Sequence, residues 1–208
     1  MSQTTTTKND DNVLDEIDSI TQEFDKLKIK NKGTGAGGSN TNKNGLPYED
    51  LTELREDENF TTKEKSKFSS IVIFNNFDKP FIKTKQRNFF KCMDEYLDKT
   101  VEKGHGCKNP DECYIDLKTK IIFIIEKKFQ QSSGSVCEKI QTPPFKKWIY
   151  GRMFPKFNIV YILCLSEWFK ENCKAEIQFL DYLKIPYFWG NSDSYKSDII
   201  SFINNYKL

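Results

Sequence analysis

The chain has 208 residues, with 32 Lys and Arg against 30 Asp and Glu and a formal net charge of +2, which is too small a charge to indicate a nucleic-acid partner by itself. The length suits one domain with a full hydrophobic core. No apolar run reaches the length of a membrane span and no signal-peptide pattern opens the chain, so we expect no membrane partner and an intracellular protein of the cytoplasm or nucleus.

The N-terminal part differs in composition from the rest. Residues 1–12 are polar and predict disorder. An amphipathic helix follows, predicted by apolar residues at helical spacing: Val13, Ile17, Ile20, Phe24 and Leu27. This helix either docks or dimerises, or lies loosely on the domain. The glycine-rich segment 33–39 predicts a flexible linker, so residues 1–40 form an extension and residues 41–208 the domain.

Helices and strands alternate through the predicted domain. In chain order the patterns predict a helix over 46–56, a strand over 70–74, a helix over 85–97, a hairpin of strands 112–117 and 121–129, helical stretches over 136–141 and 145–153, a strand over 157–165, a helix over 167–183, a strand over 185–189 and a helix over 195–205. This alternation predicts an α/β domain with a central mixed sheet flanked by helices.

Six cysteines are scattered through the chain, and they form no CxxC pair. The single histidine, His105, does not complete a Cys2His2 zinc site. We therefore expect scattered reduced thiols in preference to a structural zinc site.

The hairpin carries the most informative group of polar residues. Glu126 and Lys128 end its apolar second strand, and Gln130 follows on the same face because side chains alternate along a strand. Asp111 begins the first strand, and an antiparallel hairpin brings the start of one strand beside the end of the other. Two carboxylates and a lysine at one sheet end form a site for a hard divalent cation such as Mg²⁺.

Pro110-Asp111 and Glu126-x-Lys128, fifteen residues apart, resemble the signature of the PD-(D/E)xK nucleases, the fold of most type II restriction endonucleases. Gln130 matches a glutamine that many members carry, and the segments 134–142 and 44–52 resemble flanking segments of the family. Cys137 stands where an acidic residue is expected. The resemblance covers about residues 41–206 and implies a restriction endonuclease-like fold.

The resemblance implies a Mg²⁺-dependent endonuclease that cleaves double-stranded DNA at specific sites. Asp111 and Glu126 would bind the metal with Glu49 as an extra carboxylate, while Lys128 and Gln130 would hold the attacking water or a phosphate oxygen. Asp116 lies near the hairpin turn and is expected to have a turn or capping role. The resemblance allows a homodimer.

Five basic residues around the motif are expected to contact the DNA backbone: Lys108, Lys139, Lys146, Lys147 and Arg152.

Two other functions are compatible with the same residues. A branched-DNA resolvase or repair nuclease on this fold would have the same site residues, and a non-catalytic module would bind DNA without hydrolysis. An isolated Glu-x-Lys is otherwise typical of a solvated strand end with a surface ion pair.

Overall fold

The computed structural model of the protein describes residues 39–131 and 136–208. The predicted disorder, amphipathic helix and nearly all of the glycine-rich linker lie outside these residues, as does the start of the flanking segment 134–142. The first described helix begins at Ser39, two residues before the predicted domain.

Seven strands and seven helices are formed by the described residues: α1 (Ser39–Thr52), β1 (Phe60–Lys65), β2 (Ser70–Phe74), β3 (Pro80–Thr84), α2 (Arg87–Leu97), β4 (Glu112–Asp116), β5 (Ile121–Lys128), α3 (Val136–Ile140), α4 (Pro143–Met153), β6 (Asn158–Leu165), α5 (Trp168–Asn172), α6 (Lys174–Tyr182), β7 (Tyr187–Trp189) and α7 (Tyr195–Asn205).

All seven strands join one sheet in their sequence order. Strands β1 to β5 pair antiparallel, whereas β5, β6 and β7 run parallel. The predicted α/β domain with a central mixed sheet flanked by helices is therefore confirmed.

Helices cover both faces of the sheet. One hydrophobic cluster joins the sheet to residues of α2 to α6, and a second joins the opposite face to α1 and α7. Strand β5 supplies both clusters by alternation, with Ile122 and Ile124 in the first and Ile121, Phe123 and Ile125 in the second. Burial continues past this apolar run to Glu126 and Lys127, which places charged groups inside the protein at the end of β5.

Several element predictions differ from the structure. Strands β1 and β3 are not predicted, because Phe60–Lys65 is a mostly charged and exposed edge strand and Pro80–Thr84 is short and begins with proline. The helix expected over 46–56 spans Ser39–Thr52, and the helix expected over 167–183 is divided at Cys173 into α5 and α6.

The expectation of scattered reduced thiols is wrong for one pair. A disulfide joins Cys137 to Cys173, whose Cα atoms lie 5.7 Å apart. The sequence separation of 36 residues conceals this proximity, which arises because α3 packs against the start of α6. The other four cysteines are buried and free. Among the described residues, no helix is both long enough and apolar enough to cross a membrane.

The disulfide predicts that the denatured protein, kept free of reductant, exposes four thiols to a titrating reagent. A Cys137→Ser/Cys173→Ser variant should unfold at lower urea concentration, with a free energy of unfolding lower by about 2–4 kcal/mol, because the closed loop restricts the unfolded chain. The difference from the wild type should vanish in reductant. A count of six thiols would contradict the disulfide.

Candidate active site

A cavity of about 190 Å³ opens beside the end of the β4–β5 hairpin, where α1 crosses the sheet. Most of its lining is charged, with five acidic and two basic residues: Glu49, Asp50, Glu53, Asp111, Glu112, Lys85 and Lys127. Glu49 and Asp111, which the sequence placed in one metal site, therefore do line one cavity.

A buried ion network under α1 shapes this cavity. Lys83 of β3 and Lys127 of β5 each lie 3.2 Å from a carboxylate oxygen of Glu112 of β4. The side chains of Glu112 and Lys127 are only 1% and 4% exposed, and the Tyr114 hydroxyl donates to Glu112 at 2.6 Å. The network thus ties three neighbouring strands together at the level of the cavity.

The same lysines hold the C-terminal part of α1. Lys127 Nζ donates to the main-chain oxygen of Glu49 at 3.1 Å, and Lys83 Nζ donates to that of Leu54. The last carbonyl groups of a helix have no partner within it and carry partial negative charge, so cations stabilise this end. The two lysines therefore fix the position from which Glu49 faces the cavity.

Close packing of Tyr48 reinforces this attachment. Its ring lies 5.1 Å from that of Phe129, just after β5, and its hydroxyl lies 3.4 Å from Cys164 Sγ. Gly190 makes room for it, because a Cβ atom at that position would collide with the Tyr48 hydroxyl.

Asp111 lies at the open end of the hairpin, directly before the first residue of β4. Its Oδ2 accepts the main-chain N–H of Lys127 at 2.7 Å, which is the cross-strand proximity that the motif predicts. Burial, followed by the negative charge of Glu126, raises the pKa of Asp111 to about 6, and Glu49 adds to the rise. Asp111 is therefore close enough to Glu126 and to Glu49 for each of these carboxylates to disfavour its ionisation.

Glu126 has the opposite electrostatic environment. Lys128 and Lys146 both form ion pairs with its Oε1, the latter at 2.9 Å, and the Tyr161 hydroxyl donates to Oε2 at 3.0 Å. Burial alone would raise the pKa of Glu126, but the two ammonium groups outweigh burial and lower it to about 2. Burial and Glu126 together raise the pKa of Tyr161, so that its hydroxyl remains a donor.

Gln130 follows β5 and is half-buried. Its main chain is held by the side chain of Ser166, whose Oγ accepts from Gln130 N and donates to Gln130 O at 3.1 Å. The chain after β5 is thus attached to the end of β6, which places Gln130 beyond the Glu126 and Lys128 pair.

The predicted DNA-contacting residues divide into two groups. Lys108, Lys139, Lys147 and Arg152 are exposed. Lys146 instead points into the protein and neutralises Glu126. Neither this role nor that of Tyr161 was predicted, because Tyr161 reaches Glu126 only through the β5–β6 register, which the sequence does not reveal.

Asp116 lies at the hairpin turn, opposite Ile121 and five residues along the strand from Asp111. It accepts the N–H groups of Lys118 and Thr119 at 2.9 and 3.1 Å and pairs with Lys79 at 2.6 Å. The predicted turn role for Asp116 is confirmed.

Oxygen ligands of this kind suit Mg²⁺, and a divalent cation would offset both the burial of the Asp111 charge and its repulsion from Glu126, the two main causes of the raised pKa of Asp111. The three carboxylates are not drawn together as tightly as a bound ion requires. Within the described residues, the one group of three metal-binding side chains whose ligand atoms lie within 4.8 Å of one another is Cys137, Cys173 and Glu176, and its two sulfur atoms form the disulfide. Binding of one ion by Asp111, Glu126 and Glu49 together would therefore require these side chains to move closer to one another.

Comparisons of the chain with protein-family models, with curated proteins and with solved structures gave no match.

The ion network predicts the effect of replacing Lys127. Lys127→Met keeps the length of the side chain but removes the cation that faces Glu112, and should lower the free energy of unfolding by about 3–5 kcal/mol. Lys85→Met is the control, because Lys85 is an exposed residue paired with Glu53 and should change stability by less than about 1 kcal/mol. Urea unfolding measures both. Equal stability of the two variants would contradict the network.

Asp111 predicts a pH dependence. Its pKa rises from 3.8 in the unfolded chain to about 6 in the folded protein, because the folded protein binds this proton more tightly. Protonation of Asp111 therefore favours folding, and this contribution to stability is lost as the pH rises through about 6. Asp111→Asn does not ionise. In EDTA it should match the wild type near pH 4 and exceed it near pH 8 by up to about 3 kcal/mol in free energy of unfolding.

Asp116→Asn provides a control of opposite sign, because Lys79 and Thr119 lower the pKa of Asp116 despite its burial. This variant should be less stable than the wild type near pH 8. An Asp111→Asn variant that gains no stability near pH 8 would contradict the raised pKa of Asp111.

Proposed function

We propose that the protein is a Mg²⁺-dependent endonuclease that hydrolyses phosphodiester bonds of double-stranded DNA, on a restriction endonuclease-like version of its mixed α/β fold. The observation that carries this proposal is the position of Asp111 in a cavity with Glu49, close enough to Glu126 for that carboxylate to raise its pKa. The ion pair of Lys128 with Glu126 adds the remaining residue of the motif.

Asp111, Glu126 and Glu49 would hold the ion. When bound, Mg²⁺ supplies charge that stabilises the phosphate in the transition state and lowers the pKa of the attacking water. The charges around Asp111 favour a cation. Burial and the neighbouring Glu126 carboxylate make it costly for Asp111 to ionise, and a bound cation would offset that cost. Neighbouring carboxylates whose pKa values are shifted in opposite directions are common at catalytic sites.

The two lysines on Glu126 have a direct use in this reaction. Lys128 and Lys146 neutralise Glu126 in the absence of substrate. If Glu126 helped to hold the ion, the ammonium groups of Lys128 and Lys146 that now pair with it would be available to a phosphate. Lys128 would then orient the attacking water, with Gln130 holding the water or a phosphate oxygen, and Lys146 would offset charge on the phosphate.

The metal requirement is the first test. Purified protein incubated with plasmid DNA should cleave it with Mg²⁺ or Mn²⁺, whereas Ca²⁺ should support binding without cleavage and EDTA should abolish cleavage. The fragment ends would separate site-specific restriction cleavage from the cutting of branched DNA. Cleavage that persists in EDTA would contradict the metal site, and duplex binding without cleavage in any metal would favour a non-catalytic binding module.

Three variants test the residues of the site. Asp111→Asn and Lys128→Ala should each reduce plasmid cleavage by several orders of magnitude while DNA binding in Ca²⁺ persists, because backbone contacts are spread over many basic residues. Asp116→Asn should retain most of the activity, since Asp116 lies at the far end of the hairpin. An inactive Asp116→Asn beside an active Asp111→Asn would contradict the assignment.

A further inference from the structure

An exposed row of planar side chains lies along α4. The rings of Phe145 and Trp148 stack with centroids 6.0 Å apart and planes 26° apart. The Arg152 guanidinium lies over the Trp148 ring at 5.2 Å. These residues are three and four positions apart, which places them on one stripe of the helix. We call Phe145, Trp148 and Arg152 the α4 stack.

The α4 stack is not part of the hydrophobic core. Phe145 and Trp148 are each 55% exposed, whereas Ile149 and Tyr150 pack into the core on the other side of the same helix. Other rings such as Tyr182 are also exposed, but Phe145 and Trp148 are stacked on each other in solvent, and an exposed apolar surface of this kind is typical of a binding site.

The charge around the α4 stack favours a polyanion. From Glu138 to Glu167 the chain carries no other acidic residue but has five basic ones: Lys139, Lys146, Lys147, Arg152 and Lys156. Lys147, Arg152 and Lys156 are exposed. A groove of about 680 Å³ lies beside Trp148 and Arg152, with Lys147 and Asn158 among its lining residues. Planar rings beside cations are the features that bind unpaired nucleotides, whose bases stack while their phosphates pair with the cations.

Helix α4 also connects the α4 stack with the candidate active site. Lys146 follows Phe145 in the chain, and its ammonium group pairs with Glu126. Helix α4 therefore contributes a charged side chain to the candidate active site from its inner side and exposed rings to the surface beside that site.

We propose that the α4 stack binds unpaired bases of a single-stranded DNA segment that continues from the strand held in the active site. This inference rests on the proposed nuclease function and specifies its substrate as duplex DNA with a single-stranded tail, fork or bubble. Bases within a duplex already stack on one another and leave no open face for Phe145 or Trp148. An aromatic side chain stabilises an unpaired base by stacking on it, and Arg152 adds a cation–π contribution.

Binding measurements in Ca²⁺ test this proposal without cleavage. The probes are a blunt duplex and the same duplex with a single-stranded tail. Wild type should bind the tailed duplex at least about tenfold more tightly. Trp148→Ala and Phe145→Ala should remove most of that preference and leave blunt-duplex affinity within about twofold, while Trp148→Phe should retain it. Tyr182→Ala removes a still more exposed ring on α6 and should change neither affinity.

Fluorescence gives a direct readout of stacking. A 2-aminopurine base in the tail should be quenched by wild type and by Tyr182→Ala, and much less by Trp148→Ala. Two results would contradict the binding of unpaired bases by the α4 stack: equal quenching by Trp148→Ala and wild type, or equal affinity of the wild type for blunt and tailed DNA. Neither result would contradict a nuclease that cuts plain duplex. A tail preference that depends on Trp148, in a protein that never cuts DNA, would uphold the α4 stack and overturn the nuclease. Failure to bind either DNA would overturn both.

Discussion

The buried carboxylate of Glu112 is the constraint on which the rest of the structure depends. It takes its two cations from the strands next to it, Lys83 of β3 and Lys127 of β5. A buried charge is tolerated only where partners surround it, so the ends of these strands must stay in register. The same lysines bind carbonyl oxygens of α1 and near its end. The strand ends, the helix and the cavity between them are therefore fixed by one network.

Beside that network lie two neighbouring carboxylates whose pKa values are shifted in opposite directions. Burial and the charge of Glu126 raise the pKa of Asp111 to about 6, while Lys128 and Lys146 outweigh burial and lower the pKa of Glu126 to about 2. Glu126 therefore stays ionised throughout the neutral range, whereas Asp111 ionises as the pH rises through about 6, and its charge then lowers the stability of the fold.

The sequence predicted the parts of this arrangement that depend on local pattern. The apolar run 121–125 with its polar end predicted β5, and hairpin geometry predicted that Asp111 lies beside the end of β5. Contacts between distant elements were not predictable from it. Lys127 was an unassigned residue inside the motif, and its hydrogen bond to the main-chain oxygen of Glu49 depends on which face of the sheet α1 covers. The Cys137–Cys173 disulfide and the Tyr161–Glu126 hydrogen bond likewise join segments whose packing no periodicity encodes.

The attachment of α1 through its main chain has a consequence for how this protein can change. Lys127 and Lys83 hold oxygens that every amino acid possesses, so these two contacts do not depend on which side chain stands at Glu49. Substitutions at Glu49 can therefore change the charge and shape of the cavity wall while the helix keeps its attachment. A substitution at Lys127, in contrast, removes a contact that holds the helix to the sheet.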